Sequence, residues 1–379
     1  MSDRPRVLFV GRARYRLPLP SWLVPKWDAI EQEVDYRVLG AAAEGSHGHA
    51  ERFRLSPPVR PRMLDGAAFH LLLPWRVRRE LREFRPHVVV ASDPFVGASV
   101  LAGCALAQSP AKVVVEVHGD WQTFTRGYGS PARRLLSPLT DRIAAFALRR
   151  ADATRALSDF TSSLIESVRG RPASATFPTY SDLTAFRAEP VQPLPERPTA
   201  VFVGMLEAYK NIDGMASAWR RLVAVRPDSL LLIVGNGKRR HVVEALVRDL
   251  PDQVEYYPEL PPDGVAAALD RSTVLVLPSW PEGLGRVVIE AFARGRGVVA
   301  TGAGGVLDLV TNGIEGILIP PADTDALVET LRRIFAEPAL AARLGRAGEQ
   351  RYPAWHQTAA DFAQQTRALV DRTLSGEAS

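Results

Sequence analysis

The sequence is poor in cysteine and has no long apolar run, and both shortages restrict the class of protein. Its 379 residues include one cysteine, Cys104, so an internal disulfide is excluded. No stretch reaches the roughly 18 apolar residues that a membrane span requires, and the N-terminus does not resemble a signal peptide. Low-complexity tracts are absent too. These absences predict a cytoplasmic globular protein with Cys104 as a small core residue.

Length, composition and charge favour two domains and leave the partner open. Apolar residues make up 46% of the chain and charged residues 23%, which is ordinary for a globular protein. The chain is long for a single compact domain. The formal net charge of +5 is too modest to identify an anionic partner. Basic residues are dispersed and no nucleic-acid-binding module is recognisable, so nucleic acid is not an expected partner.

Short β-branched runs alternate with helical patterns along the whole chain. The predicted strands are 6–11, 36–40, 87–92, 112–119, 153–158 and 173–177, then 200–205, 230–235, 254–257, 274–278, 297–301 and 316–320. This alternation predicts βαβ units and parallel sheets. Four prolines in residues 188–198 are typical of a linker. We therefore predict an α/β fold with doubly wound, Rossmann-like domains in residues 1–190 and 191–355. A closing helix in residues 356–379 would pack back on the first domain.

Residues 277–305 carry the strongest chemical pattern. A buried strand leads into a turn with Glu282, Gly283 and Gly285, and a helix follows with Glu290. Glycines allow the backbone to approach a ligand, and the first amides of a helix favour phosphate. A nearby carboxylate can accept hydrogen bonds from sugar hydroxyls. The alternative is a solvated salt-bridge ladder, because arginines lie four residues before and after Glu290.

The full frame of this segment resembles the signature of the retaining glycosyltransferases of family 4. The frame is Pro-Ser, then Glu-Gly-x-Gly, then Glu-Ala-x-Ala-x-Gly, with seven residues between Glu282 and Glu290. The resemblance implies the GT-B fold, in which two Rossmann-like domains face each other across a cleft. It also implies that Glu282 contacts the donor sugar and Glu290 the nucleotide ribose. The donor phosphates would lie at the turn formed by Gly283, Leu284, Gly285 and Arg286.

Two further segments resemble the same family. The segment with Gly204 and Lys210 is similar to its phosphate-binding loop, so Lys210 would neutralise the donor diphosphate and stabilise the leaving group. Gly235 matches a glycine that lets a strand end pass near the nucleotide. Met205, however, stands where the family has an arginine. Lys238 and Arg286 are the candidates to replace that charge.

The first half offers candidates for the sugar and the acceptor. By resemblance, His118 at the end of a strand would lie beside the donor sugar, and Asp120 and Trp121 would line the acceptor side. Arginines in the predicted loop after the first strand suggest an anionic acceptor, with a solvated basic loop as the alternative; they are Arg12, Arg14 and Arg16.

Two basic, partly amphipathic stretches leave a membrane contact open. Residues 75–85 and 133–150 are either packed helices with exposed arginines or helices that lie on an anionic membrane. The second case would place the protein at the inner face of the plasma membrane, with a lipid-linked acceptor.

The resemblance implies retaining transfer of a hexose-type sugar from a nucleoside-diphosphate sugar to a hydroxyl acceptor. The tripeptide Asp323-Thr-Asp325 opens a predicted helix and is better explained as a helix cap than as a metal site. We therefore expect no metal and no cofactor besides the donor. The alternatives are a nucleotide-sugar 2-epimerase and a catalytically degenerate GT-B binding protein.

Overall fold

The computed structural model describes residues 4–43, 46, 51–60, 62–123 and 131–378. The described residues form two compact units. Unit 1 contains those of Met1–Gln122, Ser130–Asp182 and Gln357–Ser379, and unit 2 contains those of Thr123–Gly129 and Leu183–His356. The main segment of unit 2 begins at Leu183, eight residues before the start expected from the sequence, because Leu183 and Phe186 belong to its core.

Unit 1 is built on a seven-stranded parallel sheet. Its strands are β1 (Arg6–Tyr15), β2 (Asp35–Ala42), β3 (Phe53–Ser56), β4 (Val88–Ala91), β5 (Lys112–Val117), β6 (Ala153–Ala156) and β7 (Ala175–Thr176). Their order in the sheet is β3-β2-β1-β4-β5-β6-β7. Helices cover both faces, so the central strand β4 is buried along its whole length. Such double burial explains the continuous valine run of that strand.

The helices of unit 1 divide its core into two clusters. They are α1 (Val24–Glu33), α2 (Arg62–Glu83), α3 (Pro94–Ala107), α4 (Pro131–Arg150), α5 (Asp159–Arg169) and, far along the chain, α14 (Ala359–Ser375). Helices α2 to α5 pack on one face of the sheet. The other face holds α1 and α14, which share a cluster of aromatic and aliphatic side chains. Of the helices formed by described residues, none combines the length and apolarity needed to span a bilayer.

Unit 2 has a six-stranded parallel sheet. Its strands are β8 (Thr199–Val203), β9 (Leu230–Val234), β10 (Val254–Tyr257), β11 (Val274–Leu277), β12 (Gly297–Thr301) and β13 (Gly316–Ile319), in the order β10-β9-β8-β11-β12-β13. Its helices are α6 (Thr184–Arg187), α7 (Ile212–Val225), α8 (Arg240–Asp249), α9 (Pro262–Asp270), α10 (Arg286–Ala293), α11 (Val306–Leu309), α12 (Thr324–Ala336) and α13 (Pro338–Arg351). The predicted α/β class with parallel sheets is confirmed.

The main difference from the sequence expectation lies at the end of β1. Residues 12–16 were expected to form a loop, but the strand continues to Tyr15 after an irregularity between Val10 and Arg14. Beyond it, Arg14 and Tyr15 pair with Ala41 and Ala42 of β2. The sequence did not indicate this extension, because Arg12 and Arg14 alternate with other residues and are exposed.

The Pro-rich stretch 188–198 is anchored to unit 2 rather than free. Two buried arginines at the end of α10, Arg294 and Arg296, donate to its carbonyl groups. Arg294 bonds Glu189 O at 2.7 Å and Pro190 O at 2.9 Å, and Arg296 bonds Gln192 O at 2.9 Å and Pro193 O at 3.2 Å. Arg294 also forms an ion pair with Asp270, with 2.7 Å between Nη2 and Oδ2. A planar guanidinium can satisfy all these acceptors at once.

We expect Arg294→Met to lower the free energy of unfolding by about 3–5 kcal/mol, because it leaves a mostly buried carboxylate and several carbonyls unpaired. Urea unfolding measures the change. Arg332→Met is the matched control, since Arg332 forms an exposed pair with Glu329 at 2.6 Å and its loss should change stability little. Equal effects of the two substitutions would contradict the anchoring role.

Candidate active site

Three loops meet at the carboxyl edge of the sheet in unit 2. They follow β8, β11 and β12, which are neighbours in the sheet. The amide of Trp280 donates to Tyr209 O at 2.8 Å, and the amide of Gly305 donates to Glu282 O at 2.8 Å. The carboxyl edge of a parallel sheet is the usual ligand site of this architecture. The backbone bonds therefore hold the predicted donor residues on one connected surface.

Two glycines let these loops approach one another. Gly235 follows β9 with φ of +137°, and a Cβ atom there would lie 1.9 Å from the carbonyl oxygen of Gly204. Gly305 follows β12, and its Cβ would lie 2.1 Å from the carbonyl oxygen of Gly283. A side chain at either position would push two loops apart. The glycines that resemble the family pattern thus have a packing reason in this chain.

A buried ion pair joins the loops after β8 and β11. Lys210 ends a short 3₁₀ turn, Ala208–Lys210, and its Nζ contacts Oε1 of Glu282. Both side chains are largely shielded from water. The Tyr209 ring lies beside the pair, with its centroid 5.3 Å from Nζ of Lys210. Burial, with the charge of Glu282, raises the pKa of Tyr209 to about 12. The two residues predicted to serve the donor sugar and phosphates are therefore in contact.

Glu290 is buried on α10 while its partner is exposed. Its Oε1 accepts from Nε of Arg286 at 2.8 Å, and the side chains are 4% and 63% exposed, respectively. Burial raises the pKa of Glu290, and the charge of Arg286 opposes that shift. Arg294 turns away to Asp270. The alternative of a solvated ladder is therefore excluded, because the Glu290 carboxylate is neither solvated nor paired with the Arg294 guanidinium.

The turn before α10 has the form that its glycines suggested. Gly285 is the N-cap residue with φ of +88°, and no side chain among the described residues caps this end. Gly283 and the buried Leu284 precede it. The first amides of α10, the helix that carries Glu290, therefore point to the carboxyl edge of the sheet. Arg286 is the first residue of this helix.

The position expected to hold an arginine presents an exposed methionine, Met205. Of the two cations considered as replacements, Lys238 is highly exposed and its Nζ lies 3.6 Å from Oε2 of Glu207. Arg286 is fixed to Glu290 at the start of α10. Arg286 as a replacement for the missing arginine stays a prediction.

In unit 1, His118 follows β5 and is held by a carboxylate. Its Nε2 lies 3.0 Å from Oε2 of Glu116, which also pairs with the buried Arg155. Burial raises the pKa of Glu116, but Arg155 and His118 outweigh it and hold that pKa well below its usual range. Arg155 in turn stacks 4.2 Å above the Phe177 ring. A carboxylate bonded to one ring nitrogen fixes the orientation of the imidazole.

Sequence reasoning missed Glu116 and Lys26. The signal for Glu116 is a single acid in the valine-rich strand β5. Lys26 lies 5.0 Å from the centroids of the Trp27 and Phe362 rings, and burial lowers its pKa to about 8. Nothing in the sequence around Lys26 indicates this environment, because Phe362 comes from the far end of the chain.

The predicted acceptor residues have different surroundings. Asp120 accepts from the Gln122 amide at 2.9 Å, and Trp121 is buried in the core of unit 1. Arg14 pairs with Asp65 at 2.9 Å and Arg12 approaches the same carboxylate at 3.7 Å, so much of their charge is neutralised. Arg16 is exposed. Asp323 caps α12 by accepting from the Ala326 amide at 2.8 Å, which is the role predicted for it.

Two protein-family models match successive parts of the chain. The model described as Glycosyltransferase Family 4 matches residues 29–177, and the model described as Glycosyl transferases group 1 matches residues 187–351. The second match contains Lys210, Glu282 and Glu290.

Curated relatives match part of the chain. It is 28% identical over 235 residues to 2-deoxystreptamine glucosyltransferase of Streptomyces kanamyceticus, with 58% of this chain and 61% of that protein aligned. It is 29% identical over 153 residues to alpha-D-kanosaminyltransferase of the same organism, with 40% of each aligned. The alignments thus span less than two thirds of either relative.

Solved structures share the fold over almost the whole chain. Sucrose-phosphate synthase of Thermosynechococcus elongatus has a TM-score of 0.78 at 21% identity, covering 98% of this chain and 100% of that one. HepE of Anabaena in complex with UDP and glucose has a TM-score of 0.70 at 17% identity, covering 97% and 100%. At these identities the likeness establishes the fold.

The buried carboxylate of Glu290 predicts a pH dependence. Its pKa is raised above 4.5 in the folded chain, so the folded state binds the proton more tightly than the unfolded state. The stabilisation is full below the ordinary pKa and is lost as the pH rises through the raised value. We expect the stability of wild type relative to Glu290→Gln to fall as the pH rises from the ordinary pKa of a glutamate through the raised pKa of Glu290.

Urea unfolding at several pH values measures this difference. Glu349→Gln, at an exposed position on α13, is the control and should run parallel to wild type. If the Glu290→Gln curve also runs parallel to wild type, Glu290 is not held in a desolvated site.

Proposed function

Because the chain belongs to the glycosyltransferases of family 4, which have the GT-B fold, we propose that it transfers a hexose-type sugar from a nucleoside-diphosphate sugar to a hydroxyl acceptor with retention of configuration. The observation that carries the proposal is the buried pair of Lys210 and Glu282 on loops joined to the turn before Glu290. The Lys210 cation, the Glu282 carboxylate and the first amides of α10 are therefore available together at the carboxyl edge of the sheet.

The ion pair accounts for how the donor is received. A diphosphate brings negative charge to Lys210, which then no longer depends on Glu282 for its counter-charge. Glu282 is freed to accept hydrogen bonds from sugar hydroxyls. Glu290, on the neighbouring helix, accepts from the ribose hydroxyls. A carboxylate in a shielded site forms strong hydrogen bonds to neutral donors.

Departure of the nucleoside diphosphate requires stabilisation of developing charge. Lys210 and the amides of Gly283 to Arg286 supply it without reorganisation, since they are fixed before the reaction. We propose that these groups make the reaction independent of a metal ion. The acceptor oxygen bonds to the anomeric carbon on the face that the leaving group vacates, so the configuration is retained, and the hydroxyl proton passes to the departing phosphate. We propose His118, which Glu116 orients, as the residue of unit 1 that serves the sugar.

Similar proteins support the donor class. HepE of Anabaena is described in complex with UDP and with UDP-glucose, and a relative from Streptomyces is a glucosyltransferase. We therefore place UDP and UDP-glucose first in a donor panel. For the acceptor, the exposed Arg16 and the carboxylate of Asp120 are the proposed polar contacts in unit 1.

Donor binding tests the proposal directly. We expect one nucleoside diphosphate to raise the melting temperature in the presence of EDTA, because a ligand that binds only the folded state stabilises it. Lys210→Met should weaken that binding at least about tenfold, the scale of a lost charge-assisted hydrogen bond. Isothermal titration calorimetry gives the affinities, and Arg332→Met is the control, since Arg332 is an exposed cation of unit 2 with no proposed role in donor binding.

Several outcomes would overturn the proposal. Absence of binding by any nucleotide in a folded sample would favour a degenerate GT-B protein, and Met205 is the observation that supports this rival. Conversion of the nucleotide sugar without an acceptor would favour an epimerase. A strict requirement for Mg²⁺ would contradict only the proposed independence of a metal ion and would leave the proposed sugar transfer standing. Proton NMR of the product decides between retention and inversion.

Met205 offers a gain-of-function test. If it occupies the place of a phosphate-binding arginine, Met205→Arg adds a guanidinium to the donor site and should tighten nucleoside diphosphate binding by about five- to tenfold, while nucleoside binding stays unchanged. Met205→Leu is the control for changes in shape. Equal affinities of the three proteins for the diphosphate would show that Met205 lies away from the phosphates.

A further inference from the structure

Helix α4 of unit 1 has an apolar face on each side. Ala144, Ala147 and Leu148 are fully buried against the core of the unit. A second set of large apolar side chains faces solvent: Leu135 is 82% exposed, Leu139 54%, Ile143 38% and Phe146 51%. Their spacing of four, four and three residues places them along one line of the helix. We call this set the α4 stripe.

The α4 stripe is flanked by positive charge. Arg142 follows Leu139 by three residues, and Arg149 and Arg150 follow Phe146 by three and four, so all three neighbour the stripe. All three are exposed. Within the described part of the chain, no carboxylate is paired with any of them; Arg149 donates to the Val168 carbonyl at 3.0 Å.

Helix α2 repeats the arrangement. Leu71, Leu72 and Trp75 are exposed on the side opposite its buried Leu73 and Val77. Arg79 and Arg82 follow on the same side, and both are exposed. Two helices of one unit thus combine large exposed apolar side chains with arginines. Scattered single apolar residues are normal on a protein surface, but aligned sets are not.

We propose that the α4 stripe docks unit 1 on an anionic lipid bilayer. An amphipathic helix with arginines beside its apolar face lies in the plane of the interface, with its apolar side chains below the headgroups. The arginines then meet lipid phosphates and acidic headgroups. Charge complementarity identifies this occupant, since the stripe brings an excess of cations without matching acids. The inference goes beyond sugar transfer and does not depend on it.

Vesicle flotation tests the proposal with the full chain. Vesicles of phosphatidylcholine alone are compared with vesicles containing about one third phosphatidylglycerol, at low and at about 0.5 M salt. We expect binding to the anionic vesicles at low salt, at least tenfold less binding to the neutral ones, and loss of binding at high salt.

Two double variants separate the apolar and the charged contributions. Leu139→Ser with Phe146→Ser, and Arg142→Glu with Arg150→Glu, should each reduce the bound fraction at least tenfold. The control is Val225→Ser with Ile314→Ser, which removes exposed apolar side chains from unit 2 and should leave binding unchanged. The melting temperature of each variant, with and without the donor nucleotide, verifies folding and keeps the result separate from the donor proposal.

The proposal is overturned if wild type does not float with anionic vesicles at low salt, or if it binds neutral vesicles equally well. Binding of the α4 variants at the wild-type level overturns it too. Analytical ultracentrifugation tests whether a second copy of the chain covers the α4 stripe instead. If wild type is an oligomer and the Leu139→Ser with Phe146→Ser variant is a monomer, the stripe is an interface between copies and the membrane proposal is overturned.

Discussion

The buried ion pair between Lys210 and Glu282 is the interaction on which the site depends. It links loops that follow β8 and β11, two adjacent strands of the sheet, although its two residues are 72 positions apart in sequence. Burying two charges costs desolvation that their attraction barely offsets. Such a pair is therefore a poor way to stabilise a fold. Under the proposed function, a donor that competes for both charges accounts for the presence of the pair at the carboxyl edge.

On helix α10, Glu290 and Arg294 have the spacing of a surface ion pair, but their side chains have separate partners. Glu290 and Arg294 are four residues apart, which suggests a surface ladder. In the structure, Glu290 is buried with a raised pKa, whereas Arg294 anchors the linker to the unit. The helix therefore carries a buried carboxylate near its middle and a structural guanidinium at its C-terminal end.

The sequence predicts the core of the fold better than its edges. The strands with continuous apolar runs, such as β9 and β11, were predicted within a residue, because both of their faces are buried. The short strand β3 and the polar end of β1 were missed, since their pairing depends on neighbouring strands. Glu282 and Glu290 could be named as donor residues from one local frame of the sequence, and their role in donor binding stays a prediction. Glu116 and Lys26 could not, because their environments arise from Arg155 and Phe362, distant in sequence.

Because Met205 carries no charge, fewer groups are left at the proposed donor site to stabilise a departing diphosphate. With a methionine exposed at this position, the charge of a departing diphosphate falls on Lys210, Arg286 and the amides of α10. Arg286 is already bonded to Glu290, so its charge serves two acceptors. The helix amides carry only a partial charge. Of these groups, Lys210 is the full charge that a diphosphate can bind without weakening the proposed contact between Glu290 and the ribose. Replacement of Lys210 therefore distinguishes a working donor site from a degenerate one.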